Sequence, residues 1–363
     1  MKSGTGEKKR IKRIKRFSYL LFSLLFVLLL MLVFNKSIQI LIDHSSIESI
    51  NNKIVNDYNP GNADSLKQFL DTFKFEESTA PISIGEIKFK KRQNWSLQKE
   101  FDNKLFEETA TFPSRLSYLN PSDSAFFYIY RKEELKDSKI ILWLPGLGVS
   151  DMAFGFIKHF FIEELKRGYA VVVYIPPFHL NRKANEKENG DGFISSNVQN
   201  TLNIQLEAVR ELRTMLTYLQ QQNPKEISAW GGSMGASFLL LASQYHKFTH
   251  LSLMIPVIDW EQIMLKNKTL QPLLTTYVNS GFDIKLLSKA FKIISPVNYK
   301  LKIPSGKTLI QVAEYDQLTP KHTIINFAKE YGIKEAISYQ RSHATILISM
   351  QLYQDYGNFL DSL

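Results

Sequence analysis

Residues 226–241 read Glu-Ile-Ser-Ala-Trp-Gly-Gly-Ser-Met-Gly-Ala-Ser-Phe-Leu-Leu-Leu. A short strand-compatible run, 226–229, meets a serine flanked by glycines, and an apolar helix-compatible run follows at once. Gly231 and Gly235 stand two residues before and two after Ser233. A tight strand-to-helix bend needs small residues at those places so that neighbouring backbone can approach. Ser233 would then project at the head of a helix, where free N–H groups and the positive end of the dipole favour a developing oxyanion. The competing reading is a glycine-rich turn with an idle serine.

On either side of this stretch, strands are expected at 84–90, 125–130, 140–144, 170–175, 226–229, 251–255, 308–312 and 336–339. Helices are expected at 152–167, 198–222, 234–245, 321–331 and 345–360. Early strands without an intervening helix, then regular alternation, predict an α/β fold. The sheet should be mostly parallel and eight-stranded, with an antiparallel edge and helices on both faces. Residues 260–300 interrupt the alternation with an extra apolar segment, readable as a cap insertion or as additional core.

A serine hydroxyl is a weak nucleophile and needs a base, itself oriented by a carboxylate. In a sheet of this kind the chain order is serine, acid, histidine. His343 follows the expected strand 336–339 in a short polar loop, whereas His246 and His250 end a helix and His322 begins one, as solvated or capping residues would. The acid should sit at the C-terminal end of the preceding strand, where catalytic groups gather in open α/β sheets. Asp316 fits best, with Glu314 and Asp259 as alternatives. Leu144-Pro145-Gly146-Leu147-Gly148 follows another strand, and its glycines let the Leu147 amide turn toward the same point as the Met234 amide, forming an oxyanion hole.

These four features in this order resemble the α/β-hydrolase superfamily over about residues 82–363, with 231–235 as its nucleophile elbow. The resemblance implies Ser233 as nucleophile, Asp316 as acid, His343 as base, and the Leu147 and Met234 amides as oxyanion donors. Arg341-Ser342-His343 resembles the loop that presents the base in this family, and 173–179 the loop that borders the site. Pro145 stands where many esterases carry His, and Ala313 where a glycine often precedes the acid; neither change removes a catalytic group. The implied activity is that of a serine hydrolase of carboxylic esters. Peptide or thioester cleavage on the same triad, or a non-catalytic binding domain of the same fold, are the alternatives.

Composition narrows the rest. The 363 residues include 45 Lys+Arg, 35 Asp+Glu and no cysteine. That excludes disulfides, a thiolate nucleophile and cysteine-ligated metal centres. Residues 1–16 hold eight of the basic residues and one acid, so the remainder is nearly balanced and a nucleic-acid surface is not expected. After this tail, Phe17 to Phe34 is an uncharged stretch without Pro or Gly. As a helix it would cover ~27 Å, close to the hydrocarbon thickness of a bilayer. No small-residue cleavage site follows.

The expectation is a single-pass signal anchor at 17–34, the basic tail cytoplasmic and the hydrolase domain extracytoplasmic. Residues 35–81 read as a helical stalk, in which Leu66, Phe69, Leu70 and Phe73 make one apolar stripe behind a cap at Asn62 or Asp64. No H-E-x-x-H, Walker loop or carboxylate cluster occurs, so no metal or cofactor is expected, and Glu163 and Glu164 read as solvated helix residues. His179 and Arg182, in the loop 176–197, read as part of a solvated polar loop, with a place beside the pocket as the alternative. The expected partners are the lipid bilayer and an ester substrate.

Overall fold

The structure, a computed structural model, describes residues 35–56, 59–91, 96–118, 124–183 and 187–363. The basic tail and the expected anchor at 17–34 lie outside the described residues. Among the described residues no helix is long and apolar enough to cross a membrane.

The strands are β1 Lys88–Lys91, β2 Phe106–Pro113, β3 Ser124–Arg131, β4 Lys139–Leu144, β5 Tyr169–Ile175, β6 Glu226–Gly232, β7 Leu251–Met254, β8 Thr308–Ala313 and β9 Glu335–Tyr339. They form one sheet in the order β1-β2-β3-β5-β4-β6-β7-β8-β9. From β4 to β9 all neighbours are parallel, while β1, β2 and β3 join antiparallel and β3 pairs antiparallel with β5. The sheet is therefore mixed and nine-stranded, not the eight-stranded sheet expected. The unexpected strand is β2, Phe-Glu-Glu-Thr-Ala-Thr-Phe-Pro, which has no apolar run because only part of it faces a core. Ala110 and Phe112 are buried, and Glu107 is buried too because it accepts from Ser96 Oγ at 2.8 Å and from the Leu97 amide.

The helices are α1 Lys36–Asn56, α2 Ala63–Thr72, α3 Phe75–Ser78, α4 Asp151–Lys166, α5 Val198–Gln221, α6 Met234–Ala242, α7 Trp260–Lys266, α8 Gln271–Asn279, α9 Ile284–Lys292, α10 Lys321–Glu330 and α11 Met350–Asp361. They cover both faces, as β4 shows. Ile140, Leu142 and Leu144 enter the core shared with α5, α6 and α10, while Ile141 and Trp143 enter the one shared with α4 and α11. Successive strand side chains alternate between faces, so a strand buried on both sides must be apolar throughout. That is why the central strands were legible from sequence. Full burial of each such side chain is worth ~1.5–3 kcal/mol.

Two polar details differ from expectation. Glu163 is exposed beside Lys166, but Glu164 is buried, accepting from Trp143 Nε1 at 2.6 Å and Tyr356 OH at 2.5 Å. Burial pushes its pKa up to about 8, against the effect of those two hydrogen bonds. The second is the stalk. Asn62 caps α2 through bonds from Asp64 N and Ser65 N, and Leu66 and Leu70 pack into the main core, as the stripe predicted. Helix α1, however, does not stand clear: Ile47 and Ile54 belong to the same core, and its buried polar face carries Gln39 and Asp43.

Candidate active site

Strand β6 ends at Gly232 and helix α6 begins at Met234, so Ser233 occupies the bend itself. Its φ of 49° lies in the region that L-residues avoid, a strain usually kept where function requires it. The flanking glycines are sterically required. A Cβ at Gly231 would come within 2.7 Å of Ala236 Cα, and one at Gly235 within 2.2 Å of the Leu144 carbonyl oxygen. Loop 145–148 also lies against the bend: a Cβ at Gly146 would sit 3.3 Å from Ser233 Cβ.

The structure brings the three expected side chains together. Ser233 Oγ is 2.9 Å from His343 Nε2, and His343 Nδ1 is 2.8 Å from Asp316 Oδ2. Asp316 is itself held: Oδ1 accepts from Leu318 N and Thr319 N, each at 2.7 Å, and Oδ2 also accepts from Thr319 Oγ1 at 2.6 Å. With Asp316 ionised, the Nδ1 proton faces the carboxylate and Nε2 is left free to accept from the serine hydroxyl. Burial of the His343 ring opposes its cation, but the charge and hydrogen bond of Asp316, with a further contribution from Asp43, outweigh that and hold the pKa above the ordinary imidazole value.

Neither alternative acid reaches the histidine. Asp259 caps α7, accepting from Gln262 N at 3.0 Å, and Glu314 pairs with Lys321 at 2.5 Å. Met234 is the first residue of α6, so its N–H is one of those a helix leaves unbonded. Leu147 shares the cleft beside Ser233 and Met234.

His179 holds the loop that carries Leu147. It is fully buried, its Nε2 accepts from Gly148 N at 2.8 Å, and Nδ1 donates to the Pro177 carbonyl at 2.7 Å. Burial lowers its pKa to about 4, which keeps the ring neutral and Nε2 able to accept. Arg182 is equally buried, in a two-point ion pair with Glu211 at 2.7 and 2.9 Å. The solvated-loop reading of this pair is thus overturned: both polar heads find partners inside the fold, which periodicity cannot reveal. His246 and His250 are buried rather than solvated, both with pKa lowered to about 4 chiefly by that burial, and His250 meets Ser228 Oγ at 2.8 Å. His322 is exposed, as expected.

Asp43 and Gln39 were missed altogether. They lie on α1, far away in sequence, yet bond to the loops after β8 and β9. No local signal marks them. The segment 260–300 supplies a wall: Trp260, Ile263, Met264, Leu270 and Leu273 line an apolar cleft together with Ile47 and Ile50 of α1. Among the described residues no group of three His, Asp or Glu side chains could hold a metal ion.

No protein-family model matches the chain, and no curated protein matches it by sequence. Solved structures do resemble it. An acetyl xylan esterase from Paenibacillus sp. R4 is 10% identical, with 86% of this chain and 98% of that chain covered and a TM-score of 0.57. An acylaminoacyl peptidase from Pyrococcus horikoshii is 14% identical over 74% of this chain and 44% of that chain, with a TM-score of 0.51. At such identities the likeness is one of architecture: this chain has the α/β-hydrolase fold.

Proposed function

We propose that the protein is a serine hydrolase that cleaves carboxylic esters through an acyl-enzyme. Ser233 Oγ attacks the ester carbonyl as His343 Nε2 takes its proton, and the tetrahedral oxyanion faces the Leu147 and Met234 amides. His343 then protonates the departing alcohol, and water repeats the sequence to release the acid. The observation that carries this reading is the bonded chain Ser233–His343–Asp316, at 2.9 and 2.8 Å, set on a strained strand-to-helix bend. The test is a fluorophosphonate probe added to the full-length protein in mild detergent. Ser233 should be labelled, and the label should be lost in His343→Ala. Folded protein that takes no label would favour a non-catalytic use of the fold.

The space around Ser233 is divided unequally. The apolar cleft between Met234, Trp260, Met264 and Ile50 holds only about 40 Å³, room for an acetyl or propionyl group. It adjoins a cavity of about 590 Å³ with a mixed lining, polar at Lys53, Asn189 and Asp191 and apolar at Ile54, Phe178 and Ile194. A short acyl group and a larger alcohol with both polar and apolar surface fit this division. Acetyl and propionyl p-nitrophenyl esters should therefore exceed the octanoyl ester in kcat/KM by about tenfold or more. An optimum at eight carbons or beyond would refute that assignment.

The same reading places the enzyme on a membrane through 17–34, with the domain on the extracytoplasmic side. The support is the uncharged stretch behind eight basic residues. Protease added to cells whose only barrier is that membrane should digest the domain. Protection until permeabilisation would reverse the topology.

A further inference from the structure

One buried carboxylate from α1 joins the two loops that carry the acid and the base. Asp43 Oδ2 accepts from His343 N at 2.9 Å and from Gln317 N at 3.1 Å, and Oδ1 accepts from Ala344 N at 2.9 Å. Gln317 follows Asp316 directly, so Asp43 bonds the backbone next to the acid and that of the base itself. One helical turn earlier, Gln39 Oε1 accepts from Ser342 N at 3.0 Å and Thr345 Oγ1 at 2.8 Å, while Nε2 donates to the Gln340 carbonyl at 3.2 Å. The spacing of four puts both side chains on one face of α1, and together they bond the consecutive amides of residues 342, 343 and 344.

The far end of the helix is tied as well: Lys53 Nζ reaches Asp191 Oδ1 at 3.0 Å and also pairs with Glu188. Between these ties Ile47 and Ile50 border the cleft beside Ser233. The helix lies across the site.

We propose that Asp43 is a positioning residue of the reaction, holding the His343 loop in register with Ser233 and Asp316 from a helix that precedes every strand of the sheet. This rests on the hydrolase reading above. Three backbone donors converge on Asp43 where solvent cannot replace it, and an ionised carboxylate is the acceptor that satisfies such a set with the strongest bonds. A base displaced by about 1 Å loses its bond to the nucleophile, at a cost near a hundredfold.

Asp43 also bears on the charge that His343 acquires in the reaction. The ionisable groups facing the ring are Asp316 and Asp43, beside the hydroxyls of Ser233 and Thr319. Glu314 is turned to Lys321, and Arg341 donates to the Gln340 carbonyl. Removing the charge at residue 43 should lower the His343 pKa.

The test compares full-length wild type, Asp43→Asn and Gln39→Ala, with rates normalised to fluorophosphonate-titrated sites. In Asp43→Asn the amide NH2 must face a backbone N–H. The expected result is a fall in kcat of about 10- to 100-fold with little change in KM. The acid limb of its kcat/KM profile should also move to lower pH. Gln39→Ala should lower kcat by a smaller factor and leave that limb in place. Wild-type kcat and an unmoved acid limb in Asp43→Asn, even with a lowered Tm, would overturn the proposal by reducing Asp43 to a purely structural tie. If Asp43→Asn cannot be recovered folded, unchanged kcat in Gln39→Ala overturns it. Failure of the hydrolase reading shows separately, as a wild type that neither labels nor turns over, and it would sink both.

Discussion

Ser233→Ala is expected to lower ester turnover by about 10⁵-fold or more. The one atom removed is Oγ, which in the proposed mechanism both attacks and hands its proton to His343 Nε2 across 2.9 Å. Water reaching the same carbonyl would lack the alignment that the bend supplies. Stability should scarcely change. Alanine keeps the Cβ that packs by Gly146, it adopts the φ of 49° at a cost like that of serine, and His343 retains its bond to Asp316. A Tm within a few degrees of wild type, loss of fluorophosphonate labelling and near-background hydrolysis are the combined signature. Full turnover by this variant would remove Ser233 from the mechanism.

Asp316→Asn should lower kcat by roughly 10³- to 10⁴-fold, for a reason visible in its four bonds. Two backbone amides, Leu318 N and Thr319 N, converge on Oδ1 at 2.7 Å, so the asparagine oxygen will occupy that place. Its NH2 then faces His343 Nδ1. A neutral imidazole can meet a donor there only by carrying its proton on Nε2, and that tautomer cannot accept from the Ser233 hydroxyl. Asp259→Asn is the control. Asp259 accepts from Gln262 N as the cap of α7, and asparagine caps as well as aspartate, so turnover should stay within about twofold of wild type. The reverse ranking would transfer the role to Asp259.

The acid limb of the activity profile follows from the same geometry. As the proposed base His343 must be neutral, and Asp316 and Asp43 hold its pKa above the ordinary value. Activity therefore rises as pH climbs through that raised pKa.

The elbow and the central sheet could be read in the linear chain because the forces behind them are local. A strand buried on both faces must be apolar along its whole length, as Val171, Val172 and Val173 are, and that run shows in the sequence. A bend with backbone at 2.2 Å from any added Cβ must be glycine, and Gly235 shows that too. The order serine, acid, histidine then placed Ser233, Asp316 and His343 as candidates. Strand β2 escaped because its two glutamates and two threonines sit in an antiparallel edge region, where pairing with β1 and β3 rather than an apolar run holds it in place.

What the chain could not disclose is which polar side chains end up without water. His179, Arg182 and Glu164 read as surface residues, yet each is buried because a partner 21 or more residues away, or a backbone group brought close by folding, accepts or donates. Asp43 and Gln39 reach furthest, bonding to groups up to 301 and 306 residues downstream. The choice of Asp316 over Asp259 and Glu314 likewise waits on three-dimensional distance. The turn, the strand pattern and the candidates follow from the order of residues alone. Their partners are set by folding, because hydrogen-bond satisfaction and desolvation depend on neighbours in space, whereas propensity and periodicity depend on neighbours along the chain.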